Sequence, residues 1–413
     1  MKPFHKHIGR PFKSVHIRIT KYLLERDTMF ATAWVFIFIL MVGLIPLNTH
    51  FFDPIKLALE DFDFNDIAYS KLGKGEDTKF DNRVVIVNIG HADREGMAMM
   101  IEAGAAQNPK VMGLDAFFET EKDPHQDSVL REVFEKNKNL VVISRFKYLH
   151  HGEEIELMED HFQESFAQQG FANVVGEDRG SIRHFAPFEQ YKGKEYNSFA
   201  AQLVKNYDPP KFERLFKRHK ETEIIDYSRR TEKYLVVEGE DLMAGNIADS
   251  TLTGKIVLFG YVNTNPNDIE DKVFTPMNEK FAGKSIPDMN GIVVHANIIS
   301  QILDGRYIKK LPSWVTWLVA ILVGWLHMSF FLHYYLENHI WFHLVAKLAQ
   351  LASAILFGFI GTYLFDRYRV KLDMSKTLVV IALSVDIIYF YEAWAVWMHK
   401  KFNYKTVFHQ KHH

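Results

Sequence analysis

Four long apolar runs constrain this chain more than any other feature of its sequence. The first covers residues 29–47, and the others follow one another at 314–334, 342–365 and 377–397. A helix needs roughly 20 predominantly apolar residues to cross a bilayer, so each run is long enough to span it. The stretch between the first and second runs is polar and mixed, and it contains no run of that length. The sequence therefore predicts four transmembrane helices, with one folded domain between the first and the second.

The distribution of basic residues sets the predicted orientation. Residues 1–28 carry seven Lys or Arg against two acidic residues, and the tail after residue 397 is also basic, which places both ends in the cytoplasm. The loop with Arg367, Arg369, Lys371 and Lys376 is the exception, because four spans put it outside. We expect five segments: a basic cytoplasmic N-terminus (1–28), a transmembrane signal anchor (29–47), an extracytoplasmic domain (48–312), a three-helix transmembrane bundle (314–397) and a short basic cytoplasmic tail (398–413).

Short apolar runs rich in β-branched residues recur inside the central domain. They cover residues 83–89, 110–115, 140–144 and 254–260, and helical patterns separate the first three. Such runs are typical of strands that are buried on both faces. Their alternation with helices indicates a parallel sheet with right-handed crossovers. The predicted fold class is an α/β ectodomain with a mostly parallel sheet, plus four transmembrane α-helices. Ligands of such sheets bind outside the carboxyl ends of the strands.

The last part of this domain has a distinctive order of elements. The strand at 254–260 is followed by a loop with Asp268, Asp271 and Thr275-Pro276, by a helix with His295-Ala296-Asn297, and directly by a membrane span. This order resembles the end of the type-two CHASE domain, an extracytoplasmic sensor module of bacterial adenylate cyclases, histidine kinases and serine/threonine kinases. Three more segments match the family in order: Gly113-Leu114-Asp115, Gly170-Phe171-Ala172-Asn173 and Asp178-Arg179-Gly180-Ser181-Ile182-Arg183.

The resemblance implies a sensory module in the bacterial cytoplasmic (inner) membrane, with its domain in the periplasm. Relatives continue after three spans into a kinase or cyclase, whereas this chain ends at His413. We therefore expect it to act through unidentified protein partners in signal sensing or complex assembly. The alternative is a structural or accessory scaffold subunit of a cell-envelope membrane complex that binds no ligand. The turn at residues 90–96 favours this alternative, because it lacks the tryptophan and proline that are usual in the family.

Polar residues at strand ends and in loops form the candidate ligand site. They are Asp115, Asp178, Arg183, Asp271, Thr275 and His295. In a parallel sheet, residues at these positions can converge on one small-molecule pocket. An arginine there offers bidentate recognition of a carboxylate or phosphate. The alternative is that these residues cap helices, pair with one another and fix loops.

Charged residues inside the apolar runs form a second candidate. Lys347, Asp386 and Glu392 need partners or a polar path within a bilayer. With four spans, Lys347 and Glu392 lie at similar depths, and we predict an intramembrane charge pair between them. The alternative is a proton or ion path, for which one pair and one extra acid form a very short relay.

Several classes of function find no support in the sequence. It has no cysteine, which excludes disulfides and thiolate metal sites. Its 20 histidines are scattered rather than spaced as metal ligands, and a net charge of −2 gives no argument for binding nucleic acid. No phosphate-binding glycine loop or hydrolase elbow occurs. We expect no enzyme activity, no metal and no cofactor. The expected partners are the lipid bilayer, other proteins in or at the membrane and, for a sensor, a small-molecule ligand.

Overall fold

The chain folds as two units. Residues 54–308 form an α/β unit, and residues 1–53 together with 309–413 form a helical unit. The computed structural model describes residues 22–44, 66, 68–69, 79–149, 154–175, 180–263, 265, 267–278, 286–337 and 339–411. The predicted N-terminal segment is thus described only from residue 22, and the candidate ligand residue Asp178 lies outside the described residues.

Ten α-helices lie in the described part of the chain. They are α1 (Arg26–Leu44), α2 (Arg94–Ala106), α3 (Pro124–Lys136), α4 (Phe199–Tyr207), α5 (Pro209–Phe216), α6 (Gly239–Met243), α7 (Gly291–Asp304), α8 (Ser313–Glu337), α9 (His339–Tyr368) and α10 (Ser375–Phe402). Short 3-10 helices cover Gln163–Ser165, Thr231–Lys233 and Val407–Lys411. The helices α2 to α7 belong to the α/β unit, and the other four belong to the helical unit.

A six-stranded sheet forms the centre of the α/β unit. Its strands are β1 (Val84–Asn88), β2 (Val111–Leu114), β3 (Leu140–Ser144), β4 (Gln168–Phe171), β5 (Leu235–Glu238) and β6 (Ile256–Gly260). They lie in the order β5-β1-β6-β2-β3-β4, and every neighbouring pair is parallel. The predicted α/β fold with a parallel sheet is confirmed.

Helices cover both faces of this sheet, which explains why its central strands are apolar along their whole length. One face carries Val85, Met112 and Phe259 and shares a core with α2, α3 and α6. The helices α4 and α7 pack together on the other face. There, a Cβ on Gly113 would lie 2.7 Å from the ring of Phe199, so only glycine lets α4 approach β2 this closely.

Short strand pairs outside the central sheet shape its carboxyl edge. They are Phe146–Leu149 with Glu154–Leu157, Phe188–Tyr191 with Lys194–Asn197, His184–Phe185 between Val174–Val175 and Glu223–Ile224, and Lys272–Val273 with Met289–Asn290. The last pair is antiparallel and opposes Lys272 to Asn290. It therefore brings the acidic loop that ends at Asp271 next to the start of α7.

Buried polar side chains on α7 support a segment of irregular backbone. The Oδ1 atom of Asn297 accepts hydrogen bonds from the backbone N–H groups of Ser228 (3.2 Å) and Arg229 (3.1 Å). The Oε1 atom of Gln301 accepts one from the backbone N–H of Asp226 at 2.8 Å. Buried backbone groups outside a sheet need such partners. The asparagine of the His-Ala-Asn sequence thus supports the fold.

Where the structure describes the helical unit, it contains four apolar helices, and each is long and apolar enough to cross a membrane. The helices α1, α8 and α10 pack against one another, and α9 packs against α8 and α10. A Cβ on Gly324 would lie 2.7 Å from Val380, so α8 and α10 approach closely at a residue without a side chain. The four predicted spans are therefore confirmed as membrane-length helices.

A two-residue pairing orders the loop between α9 and α10. Lys309–Lys310 pairs in parallel with Val370–Lys371. The basic loop is thereby held beside the segment that enters α8. Both lie at the same end of the helical unit.

Candidate functional site

A cavity of about 290 Å³ opens at the carboxyl edge of the central sheet. Three polar residues reach it from strand ends: Asp115 directly after β2, Arg145 directly after β3, and Asn173 two residues after β4. Asp271, in the loop before α7, and His295, in α7, also line the cavity. The remaining lining residues are Phe146, Lys147, Met158, Ala172, Val174, Ile182, Val273, Gly291 and Val294. Parallel α/β sheets bind ligands at this edge.

The carboxylates of Asp115 and Asp271 converge beside Gly291. Both lie within 4.0 Å of the position that a Cβ on Gly291 would occupy. Backbone bonds fix each acid: the N–H of Asp115 donates to the Phe259 carbonyl at 2.8 Å, and the Asp271 carbonyl accepts from the Gly291 N–H at 3.1 Å. Glycine at position 291 therefore leaves room for a ligand group between the two acids.

The two acids titrate closer to neutral pH than ordinary aspartates do. Burial raises the pKa of Asp115 to about 6, and the positive charge of Arg145 opposes this rise. Removal from water raises the pKa of Asp271 to about 6 as well, and the nearby Asp115 carboxylate adds to the rise. A bound cation or hydrogen-bond donor would favour the charged form of both acids.

Arg145 supplies a positive charge to the cavity. Its guanidinium carbon lies 5.7 Å from the centre of the Phe117 ring. Within the described part of the chain, its guanidinium forms no hydrogen bond or ion pair. The sequence reasoning missed this residue, although the signal was present: a cation follows a buried strand at the same edge as Asp115.

His295 presents a neutral imidazole to the cavity. Its side chain is only 7% exposed and packs edge-on against Phe199, with ring centroids 5.3 Å apart. Burial, with a smaller contribution from the positive charge of Arg145, lowers the pKa of His295 to about 4. Its Nδ1 atom has no hydrogen-bond partner among the described residues. A buried polar atom without a partner is costly, so this one is available to a ligand.

The Gly-Phe-X-Asn segment contributes its last two residues, Ala172 and Asn173, to the lining of the cavity. A Cβ on Gly170 would lie 2.7 Å from the backbone of Phe199, so glycine is needed where β4 meets α4. The Asn173 side chain accepts from the Phe146 N–H at 2.7 Å and donates to the Phe146 carbonyl at 2.8 Å. The motif thus fixes the loops after β3 and β4 against each other, and it holds Arg145 and Asn173 at one edge.

Two of the predicted ligand residues do not line the cavity. The guanidinium of Arg183 forms two hydrogen bonds with the carboxylate of Asp66, at 3.2 and 2.5 Å. Thr275 is buried, and its hydroxyl donates to the Asp288 carboxylate at 2.5 Å. Of the six predicted ligand residues, the structure brings Asp115, Asp271 and His295 together, and Arg145 occupies the place expected for Arg183.

The predicted charge pair in the helical unit is wrong. Lys347 lies 3.9 Å from Asp386 instead, and the Glu392 carboxylate accepts a hydrogen bond from the hydroxyl of Tyr335. Asp386 and Glu392 are six residues apart on α10. That spacing separates them by about 9 Å along the axis and places them on different sides of the helix. Similar depth in the membrane therefore did not identify the acid that faces Lys347, because the side of α10 on which each acid lies also matters.

The cavity suits the binding of a small molecule that carries groups of opposite charge. It offers two acids that can share a proton or a ligand cation, two cations in Arg145 and Lys147, and one neutral histidine. Among the described residues, no three His, Asp or Glu side chains are grouped so that they could hold a metal ion. Carboxylates and an arginine that line one small space recognise charge as well as shape.

The comparisons with known proteins agree with this architecture. The family model of the CHASE2 domain matches residues 31–331, which is more than half of the chain. The match includes most of α1, the α/β unit and most of α8. No curated protein and no solved structure gives a significant match. Because the family model covers the sheet, the cavity and the flanking helices, the chain belongs to the CHASE2 domain family.

Proposed function

We propose that this protein is a membrane-bound sensory module that binds a small polar ligand in the cavity at the start of α7. One observation carries the proposal: Asp115, Arg145, Asp271 and His295 come from four separate segments and converge on one cavity. Side chains that only stabilise a fold satisfy each other, as Arg183 does with Asp66. The buried His295 Nδ1 atom has no such partner among the described residues, and the guanidinium of Arg145, which is exposed to solvent at the cavity, pairs with no described side chain. Membership of the CHASE2 family supports a sensory role.

The charges of the cavity indicate the class of ligand. Arg145 offers donors to a carboxylate or phosphate, and the N-terminal end of α7 adds a favourable dipole. Asp115 and Asp271 offer acceptors to an ammonium group or to hydroxyls. A volume of about 290 Å³ is at the small end for ligand sites. We therefore propose a small zwitterion of amino-acid size.

The proposed location is the bacterial cytoplasmic membrane. The α/β unit would lie in the periplasm, and both termini would lie in the cytoplasm. Support comes from the basic segments at residues 1–28 and 398–413 and from the four membrane-length helices. Reporter fusions after residue 137 and after residue 411 test this topology, since the first must report outside and the second inside.

We propose further that the ligand is sensed and not converted, and that the response passes through a separate protein partner. The expected partner is an output protein in or at the membrane. An accessory scaffold subunit would instead remain in a stable envelope complex with an empty cavity. Purification in mild detergent, with mass spectrometry of bound proteins and small molecules, distinguishes these two functions.

Thermal shift assays on the full chain in detergent test the ligand proposal. We expect one or more zwitterionic amino acids to raise the unfolding temperature, and uncharged sugars to have no effect. Arg145→Ala should abolish the shift, while Arg214→Ala, which removes an exposed arginine outside the cavity, should leave it intact. Equal shifts in both variants would place the ligand elsewhere, and no shift with any zwitterion would overturn the proposal.

A further inference from the structure

A polar seam lies on the outer face of the helical unit, where α9 meets α10. It consists of His343 and Lys347 on α9 and of Asp386 and Tyr389 on α10, and we call these four residues the α9–α10 seam. The rings of His343 and Tyr389 are stacked, with centroids 6.1 Å apart. The Nζ atom of Lys347 lies 3.9 Å from Oδ1 of Asp386, and these two side chains are 60% and 59% exposed.

The surface around the seam is apolar. Leu344, Leu348 and Leu351 on α9 and Phe390 on α10 are all more than half exposed. In membrane-length helices such residues face lipid. Lipid chains offer neither hydrogen-bond donors nor acceptors, so a charged pair among these residues needs a protein partner.

Lys347 and Asp386 do not satisfy each other. Their separation of 3.9 Å exceeds the roughly 2.7–3.2 Å of a hydrogen bond. Neither side chain forms a hydrogen bond with any other residue in the described ranges. Asp386 lies eleven residues into α10, about 16 Å from its start, which is too deep for a short side chain to reach the membrane surface. The ammonium and the carboxylate thus keep most of their hydrogen-bonding capacity unused.

We propose that the α9–α10 seam is the contact surface for a second copy of this chain in the membrane. The seam presents one cation and one anion side by side, and such a surface is complementary to itself. A two-fold axis places the Lys347 of one copy opposite the Asp386 of the other. The single chain leaves both groups with open hydrogen-bonding positions, and the dimer fills them.

The geometry of the pair suits an axis along the membrane normal. A two-fold rotation about this axis leaves every residue at the same depth in the membrane. Only groups at the same depth can therefore contact each other across the axis. Lys347 and Asp386 are in contact within one copy and therefore share a depth. The axis also keeps the two copies in the same orientation, which any membrane dimer of one topology requires.

Charge reversal in two differently tagged copies tests the proposal. Lys347→Asp gives a seam with two acids, and Asp386→Lys gives one with two cations. We expect the native chain to pull down its tagged copy, and each variant alone to lose at least tenfold of this association. Coexpression of the two variants should restore association, because each seam then meets its opposite charge. A separate helix protein as the occupant would give no such rescue.

A single introduced cysteine gives a second test that does not disturb the charged pair. The native chain has no cysteine, so a disulfide at the introduced residue cannot form within one copy. Leu351→Cys, one turn beyond Lys347 on the exposed face, should cross-link to a band of twice the chain mass on mild oxidation in membranes. Leu326→Cys on α8, which is also exposed, is the control and should cross-link at least tenfold less.

Either of two results would overturn the proposal. The first is equal cross-linking of Leu351→Cys and Leu326→Cys, which indicates random collision. The second is a native chain that does not associate with its tagged copy in membranes or lipid nanodiscs. Both outcomes leave the ligand proposal unaffected, since it concerns the α/β unit alone.

Discussion

The carboxylate of Asp27, at the start of α1, accepts a hydrogen bond of 2.6 Å from the hydroxyl of Tyr391 in α10. Both side chains are buried. The same carboxylate accepts a hydrogen bond of 3.1 Å from the Thr406 hydroxyl and one of 2.7 Å from the Val407 N–H. One acid thus joins the first membrane helix to the last one and to the segment after it.

Replacing this acid should destabilise the helical unit. Asp27→Asn keeps one acceptor oxygen but turns an amide N–H₂ towards groups that are themselves donors. Hydrogen bonds to charged groups contribute about 1.5–3 kcal/mol, so we expect a loss of about 2 kcal/mol. Thermal unfolding of the variant and the native chain in the same detergent measures this loss of stability. Asp366→Asn, at an exposed carboxylate, is the control and should change little. Equal unfolding temperatures for the two variants would contradict the role of Asp27.

The acids in the cavity should make the stability of the α/β unit fall as the pH rises. The pKa of Asp115 is raised to about 6, above its ordinary value of roughly 4 in an unfolded chain. The folded state therefore binds the proton of Asp115 more tightly than the unfolded state does. The stability that this tighter binding contributes is lost as the pH rises from about 4 through about 6.

Asp115→Asn isolates this effect, because asparagine resembles the neutral acid. We expect the variant to be more stable than the native chain by about 2–3 kcal/mol at pH 7.5 and within about 0.5 kcal/mol of it at pH 4. His295 has the opposite effect in this window, because its pKa is lowered from 6.5 to about 4 and its contribution to stability rises with pH. That contribution is common to both chains and cancels in their comparison. Chemical unfolding at the two pH values is the measurement. A variant that is less stable at pH 7.5 would show that the charged carboxylate supports the fold.

A methyl group at position 291 should separate ligand binding from stability. In Gly291→Ala the new Cβ lies 3.8 Å from the nearest Asp271 oxygen and 4.0 Å from Asp115, which is ordinary contact. We expect unchanged or slightly higher stability, by about 0.5–1 kcal/mol, because alanine favours a helix start over glycine.

Ligand affinity in the same variant should fall at least tenfold, since the methyl group fills the space between the two acids. Titration calorimetry with the ligand found by thermal shift measures this change. Gly305→Ala is not a suitable control, because Gly305 has a φ of 66° and alanine would be strained there. Gly96→Ala, in α2 outside the cavity, is the better comparison. Unchanged affinity in Gly291→Ala would remove the two acids from the ligand site.

The buried amide of α7 should be among the most sensitive positions of the α/β unit. Asn297→Ala leaves the backbone N–H groups of Ser228 and Arg229 without their acceptor. Unsatisfied buried donors cost about 1–3 kcal/mol each, so we expect a loss of about 2–4 kcal/mol. Asn246→Ala, at an exposed asparagine, should cost much less. Similar unfolding midpoints for the two variants would show that the 226–229 segment finds other partners.

Three of the four residues that define the candidate ligand site could be predicted from the sequence: Asp115, Asp271 and His295. Asp115 follows a strand whose apolar run is evident, and a parallel sheet brings the ends of its strands to one edge. Arg183 was the predicted cation of the site, because it belongs to the motif at residues 178–183, and Arg145 was not among the predicted residues. The structure reverses this choice, since Arg183 is used by Asp66 and Arg145 extends into the cavity. No local pattern reveals which arginine has an acid beside it.

The sequence by itself determined the four membrane-length helices and the parallel α/β fold. Both depend on the length and period of apolar runs, which are properties of neighbouring residues. Only the tertiary structure decided that Asp271 meets Asp115 beside Gly291, and that Lys347 faces Asp386 and not Glu392. These pairings depend on the rotation of each helix and on the path of each loop. Packing between segments that are distant in the sequence determines these rotations and loop paths. Such packing produces no periodic pattern in the sequence.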